Sequence, residues 1–425
     1  MYVTLACVVY LGMESLCYLS LIVLRAKGVH YHPVASALSE EQRQVLKTRL
    51  DEDTGHLSGH NPILGWSPKP LMHTEDVRIN SQGIRSEHDY SQDAPPHLVR
   101  VSAFGDSFTF GSDGTNTDTW ESQMEQADSR FEVLNFGVGG YGLDQAYLRY
   151  MHEGVHFQSD IVIIGFMSEN IYRNLNVFRP FYMGLNERKV YTKPRFSVEE
   201  GNLILFKNPL STREDYVRFV ADDQAVLKEI GKKDYFYQIG YVAGPMDRLP
   251  SVRLFKIAMR TIKERLNPVV TREGSYAVTS EAFLLTTRLL EAFHCAALQH
   301  DSLPVIVIYP DLGDLSRYRN HQPKRYEPLL EHLRINGFHY LDVLDAFVAY
   351  DADVPRDQLT VGRWGHYSRL GNKIVASSLQ NYLRKEDLVS RDAIKAFTRE
   401  AGATGNCHQK PIDTNTQPLH SSNVR

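Results

Sequence analysis

The chain has 425 residues, of which 42% are hydrophobic and 23% charged, the balance of a folded globular protein rather than a disordered or fibrous one. A formal charge of -4 without a basic stripe excludes a nucleic-acid backbone from the expected partners. Of four cysteines, Cys7 and Cys17 lie in an apolar segment and Cys295 and Cys407 stand far apart without metal-ligand spacing, so neither a disulfide framework nor a cysteine metal site is expected.

Residues Tyr2 to Leu24 form an apolar run of bilayer length, interrupted by Glu14 and a few small polar side chains. A retained single transmembrane anchor over residues 1–27 is expected rather than a cleaved signal peptide, because no small-x-small site precedes Arg25 and Lys27. Those two cations and the terminal amine do not fix its sidedness; an extracytoplasmic domain is the expectation. Residues 28–98 read as a spacer and a small β region. The spacer is helical between Ala37 and Leu57 with Ser39 as N-cap, and Asn61 to Ser86 carries Gly65, Pro68, Pro70 and Gly83 between short extended pieces.

From Val99 the pattern becomes short apolar runs, VRVSAF, EVLNFG, IVIIGF, PVIVIYP and HYLDVL, of the kind found in strands buried on both faces. Helix-like segments at Trp120 to Ala127, Leu143 to Met151 and Ser280 to His300 alternate with them, which predicts an α/β fold with a mostly parallel, doubly wound sheet. The domain is placed at 99–388. An irregular, aromatic insertion at about 178–278, with a hairpin at EEGNLILF and a helix from Ser251 to Leu266, is expected over the C-terminal sheet edge, where such folds hold ligands. The polar stretch 389–425 is expected to be a disordered tail.

Four blocks carry chemistry. Gly105-Asp106-Ser107-Phe108-Thr109-Phe110-Gly111 follows the first strand, so Ser107 sits at a strand-to-helix turn beside backbone N–H groups that favour developing negative charge; a plain N-cap turn is the competing reading. Asn135-Phe136-Gly137-Val138-Gly139-Gly140-Tyr141-Gly142 follows the second strand, where glycines let a backbone N–H approach an oxyanion. Gly165-Phe166-Met167-Ser168-Glu169-Asn170 follows the third and offers an amide side chain. A serine nucleophile needs a base, and His366, in WGHYSRLGN ahead of an apolar-periodic helix, is the best candidate. His152-Glu153-Gly154-Val155-His156 also spells H-E-x-x-H, but Gly154 and the strand beginning soon after His156 put it at a helix end, so a helix-to-strand connection is favoured over a metal site.

In this order, at the ends of successive strands, the blocks resemble the SGNH/GDSL hydrolase family over roughly Val99 to Leu383. The resemblance implies a three-layer α/β/α flavodoxin-like sandwich with Ser107 as nucleophile and His366 as general base. Its implied oxyanion donors are the N–H groups of Ser107 and Gly140 and the side chain of Asn170, with neither cofactor nor metal. Two departures are visible. The family has Asp three residues before its histidine, where this chain has Arg363, so Asp357 is the candidate acid or His366 works without one. The asparagine block can also be aligned with Glu169 on the asparagine position. The expected function is hydrolysis of an acyl or acetyl ester of a small molecule, glycan or lipid at a membrane. The alternatives are a degenerate binding protein and an O-acyltransferase of envelope polysaccharide.

Overall fold

The computed structural model describes residues 1–27, 29, 38–49, 58–184, 189–242, 244–271, 273–351, 356–362, 364–403 and 407. Along the chain lie α1 (Tyr2–Ala26), α2 (Glu40–Arg49), β1 (Ser58–Asn61), β2 (Gly65–Pro68), β3 (Val99–Phe104), α3 (Ser107–Phe110), α4 (Trp120–Ala127), β4 (Phe131–Asn135), α5 (Leu143–His152), β5 (Ile161–Met167) and α6 (Asn170–Arg173). Then come α7 (Arg179–Met183), β6 (Arg195–Glu199), β7 (Asn202–Phe206), α8 (Arg213–Ala221), α9 (Asp223–Gly231), α10 (Tyr235–Gly240), α11 (Pro250–Leu266), α12 (Glu281–Gln299) and β8 (Leu303–Tyr309). The last are α13 (Leu312–Arg319), α14 (Glu327–Ile335), β9 (Tyr340–Asp342), α15 (Leu344–Asp351), α16 (Arg356–Leu359), β10 (Thr360–Val361), β11 (His366–Tyr367), α17 (Arg369–Lys385) and α18 (Arg391–Ala403). These form two compact units: Met1–Thr54 with Leu175–Lys193 and Pro209–Val269, and Gly55–Asn174 with Pro194–Asn208 and Val270–Arg425.

The second unit holds the sheet. Its five strands run parallel in the order β4-β3-β5-β8-β9, with Val101 opposite Val133 and Ile161, and Val307 opposite Gly165 and Leu341. Every residue of β3, β5 and β8 is buried, as strands covered on both faces require. Helix α4 packs with α17, and α5 packs with α12, so helices flank the sheet on both faces. Taken in sequence the strand order is 2-1-3-4-5, the flavodoxin-like winding, whose direction reverses between β3 and β5. The hairpin β1–β2 and the loops up to Tyr90 precede this sheet and bury Trp66, Ile79 and Ile84. The expected hairpin at EEGNLILF is β6–β7, which belongs to this unit rather than to the remainder of the expected insertion.

Two expectations are corrected here. The stretch from 389 is not wholly without structure: α18 buries Ile394 and Thr398, and Arg391 at its start pairs with Asp160 at 2.8 Å. The apolar positions Ile394 and Phe397 give one short helix a face to bury, which an average over the polar tail conceals. Secondly, Cys295 on α12 and Cys407 form a disulfide across 112 positions. Helix α18 packs on α12 and carries the chain back toward Cys295, a proximity that linear spacing does not contain.

In the first unit α1 is a 25-residue apolar helix, long enough to cross a membrane, with no buried residue. Glu14, the one charge between Tyr2 and Leu24, accepts hydrogen bonds from the backbone N–H (3.0 Å) and hydroxyl of Ser251 at the start of α11. Ser39 caps α2 reciprocally with Gln42, as its position before the helix predicts. Asp234, fully buried, accepts from the N–H groups of Val177, Phe178, Phe236 and Tyr237 and from the Asn176 amide, joining the segment that leads into α7 to the start of α10 through one carboxylate.

Candidate active site

Ser107 opens α3 directly beyond the C-terminal end of β3, at the point where the strand order reverses. Asp106 caps the helix, its carboxylate accepting the Phe108 N–H at 2.9 Å, and Gly111 ends it in a left-handed conformation. Gly105 has no alternative: a Cβ there would stand 2.1 Å from Thr109 Oγ1 and 2.9 Å from its Cβ. The glycine block is fastened to this turn. Val138 N–H donates to the Gly105 carbonyl at 3.0 Å, and the Asn135 amide donates to the Thr109 carbonyl at 3.0 Å.

Asn170 starts α6 after β5, buried, with its side chain against the Asp106 carboxylate and its Oδ1 without a hydrogen-bond partner among the described residues. Glu169 is turned to Arg173 one turn on, with 2.7 Å between Nη2 and Oε2. The other end of that guanidinium reaches Asp106 at 3.3 Å and the Tyr141 carbonyl at 3.1 Å, so Arg173 ties together the three blocks that follow β3, β4 and β5. Burial raises the Asp106 carboxyl, opposed chiefly by Arg173, and the Glu169 and Asp106 charges raise Arg173 against its own burial.

His366 lies on β11, whose pairing with β10 sets Val361 opposite it, and the N-cap Ser368 begins α17 two residues later. Its ring meets the edge of Phe108, the residue after Ser107, with centroids 5.5 Å apart. Nδ1 is 2.7 Å from Asp113 Oδ2. A carboxylate only accepts, so Nδ1 carries the hydrogen and Nε2 is the basic nitrogen. Among the described residues no hydrogen bond joins His366 to Ser107. The Asp357 side chain and Arg363 lie outside the described residues, and the carboxylate bonded to His366 is Asp113, which the motif reading did not select. The usable signal was local: Ser112-Asp113-Gly114 directly follows GDSFTFG, in the loop that leaves the serine helix.

His152 ends α5 while His156 falls in the separate 3-10 turn Gly154–Phe157, so the two imidazoles do not share a helix face. Among the described residues no group of three His, Cys, Asp or Glu is placed to hold a metal. A cavity of about 400 Å³ lies among the loops before β3, lined by Arg78, Asn80, Ser86, Glu87 and His88 among others; Ser107 and His366 do not line it.

No sequence-family profile and no curated protein matches the chain. Among solved structures it is similar to a lipolytic protein of the G-D-S-L family from Desulfitobacterium hafniense, at 15% identity and TM-score 0.32 over 67% of this chain and 99% of that one. It is also similar to the acetylxylan esterase Axe2 from Geobacillus stearothermophilus, at 12% identity and TM-score 0.34 over 68% and 96%. A third is LAE5, an α/β hydrolase from the Lake Arreo metagenome, at 11% identity and TM-score 0.36 over 69% and 96%. Likenesses this distant leave the roles of residues to the chain's own geometry.

Proposed function

We propose that the chain is a serine esterase of the SGNH/GDSL type, held at a membrane by α1. The observation that carries this reading is the bond of His366 Nδ1 to Asp113 Oδ2, which sets a carboxylate-oriented imidazole beside the helix that begins with Ser107. In the proposed reaction Ser107 Oγ attacks the ester carbonyl carbon and gives its proton to His366 Nε2. The tetrahedral oxyanion is held by the N–H groups of Ser107 and Gly140 and by the Asn170 side chain. Its collapse returns the carbonyl and breaks the bond to the alcohol oxygen, which takes the proton from His366. Water, activated by the same imidazole, then releases the acid and restores Ser107; a sugar hydroxyl in its place would make the chain an acyltransferase. Acetyl or acyl esters of glycans or lipids are the proposed substrates. The disulfide between Cys295 and Cys407 supports an oxidising, extracytoplasmic setting for the sheet-bearing unit.

The experiment is labelling of the full-length protein in detergent with a fluorophosphonate, which needs an activated serine and not the right substrate. Labelling of the wild type, lost in Ser107→Ala and His366→Ala, is the expected result. A second reading, a non-catalytic glycan-binding protein, is favoured by the missing Ser107 to His366 hydrogen bond; no labelling of a folded wild type would select it.

A further inference from the structure

We propose that Trp66, on the hairpin ahead of the sheet, is a positioning residue for the site: its indole N–H locks the Gly139–Gly140 peptide in the orientation that makes the Gly140 N–H an oxyanion donor. The inference rests on the esterase reading above and adds to it a residue outside all four motif blocks.

The argument starts from the turn. Tyr141 N–H donates to the Val138 carbonyl at 3.2 Å, which makes Val138 to Tyr141 a four-residue turn with Gly139 and Gly140 at its centre. Gly140 has φ +84 and Gly139 is not among the residues with positive φ, the signature of type II. Types I and II differ by a flip of the central peptide, here the one between the two glycines. Neither glycine carries a Cβ that would forbid either orientation. The two orientations are opposite in consequence, because a trans peptide points its C=O and its N–H in opposite directions.

An external contact selects one of them. Trp66 Nε1 donates to the Gly139 carbonyl at 3.1 Å, so the Gly140 N–H is aimed away from β2. Trp66 itself is held: it is 2% exposed, its ring stands edge-on to that of Tyr141 at 5.5 Å, and its carbonyl accepts the Tyr141 hydroxyl. Both neighbours of Gly140 are therefore tied to one buried tryptophan. A flipped peptide would leave a buried indole N–H without its acceptor and present a carbonyl where a donor is needed, which repels an oxyanion.

The test is hydrolysis of p-nitrophenyl acetate by the full-length protein in detergent, comparing wild type, Trp66→Phe and Ser107→Ala. W66F keeps an aromatic ring and removes the donor. Losing one oxyanion donor costs about 100- to 1000-fold in kcat, so a bias on that donor is expected to cost about 10-fold or more, with KM within about twofold. W66F with wild-type kcat, or with kcat and KM changed together, overturns the proposal. Where W66F fails to fold, 3-benzothienylalanine at position 66 replaces only the indole N–H by sulfur, and the same kcat loss at constant KM is expected. Hydrolysis that survives in S107A overturns the esterase reading itself, whereas serine-dependent hydrolysis indifferent to position 66 overturns only the role of Trp66.

Discussion

Asp106 and Glu169 are two carboxylates beside a site proposed to stabilise an anion, and Arg173 faces both. Removing that guanidinium leaves Asp106 buried without its cation, and breaking a buried pair costs about 3–5 kcal/mol. Arg173→Ala is therefore expected to lose stability in that range in urea melts, and adding Glu169→Gln to it should recover part of the loss; additive losses would show that Glu169 is not coupled to Arg173. Asp113 leads to a different expectation. Its side chain is 45% exposed, so Asp113→Asn should barely move the melting temperature, yet an amide can donate as well as accept and no longer fixes the His366 tautomer. A fall of about 100-fold in kcat, partly restored by Asp113→Glu, is expected; unchanged kcat would remove Asp113 from the site. Ser107 and His366 were selected as candidates because each sits in a contiguous block whose neighbours point to it. Asp113 was not, since its partner lies 253 positions away and no spacing rule links a loop carboxylate to a histidine that distant.

Helices and strands were the most legible layer. The five apolar runs became β3, β4, β5, β8 and β9, and the helical segment Trp120 to Ala127 is α4 with the same bounds; in β3, β5 and β8 burial on both faces leaves an unbroken apolar signal. What periodicity does not show is the cost of a charge at the seam between two such elements. Glu125 of α4 accepts the Val133 N–H of β4 at 2.7 Å, and burial pushes its carboxyl from an ordinary value of 4.5 up to about 7. The folded state then holds a proton that the unfolded chain has already released between those values, so stability falls as pH rises from about 4.5 to 7 and is level above. With allowance for its partial exposure the loss is on the order of 2 kcal/mol. Glu125→Gln keeps the acceptor and removes the titration. Its melting temperature should exceed that of wild type at pH 8 and match it near pH 5, and parallel curves would refute the assignment.

At the scale of the whole chain, the sequence pattern showed one α/β domain with an insertion, while the structure joins the N-terminal segment to most of that insertion in a single unit. Long-range pairing of this kind leaves no periodic trace. The same holds for the disulfide, which closes a loop of 112 positions and is expected to contribute about 2–4 kcal/mol. Denatured, unreduced protein should titrate two thiols, Cys7 and Cys17, rising to four after reduction, with a lower melting temperature in reductant; four thiols before reduction would count against the bridge. The pairing of Glu14 with Ser251 also sets a schedule. The partners are 237 residues apart, and at roughly 5–20 residues per second a ribosome needs about 10 to 50 s to make the second after the first. Throughout that interval α1 exists without α11, and because the folded chain buries no residue of α1 either, covering its apolar surface falls to a lipid bilayer or a holding chaperone.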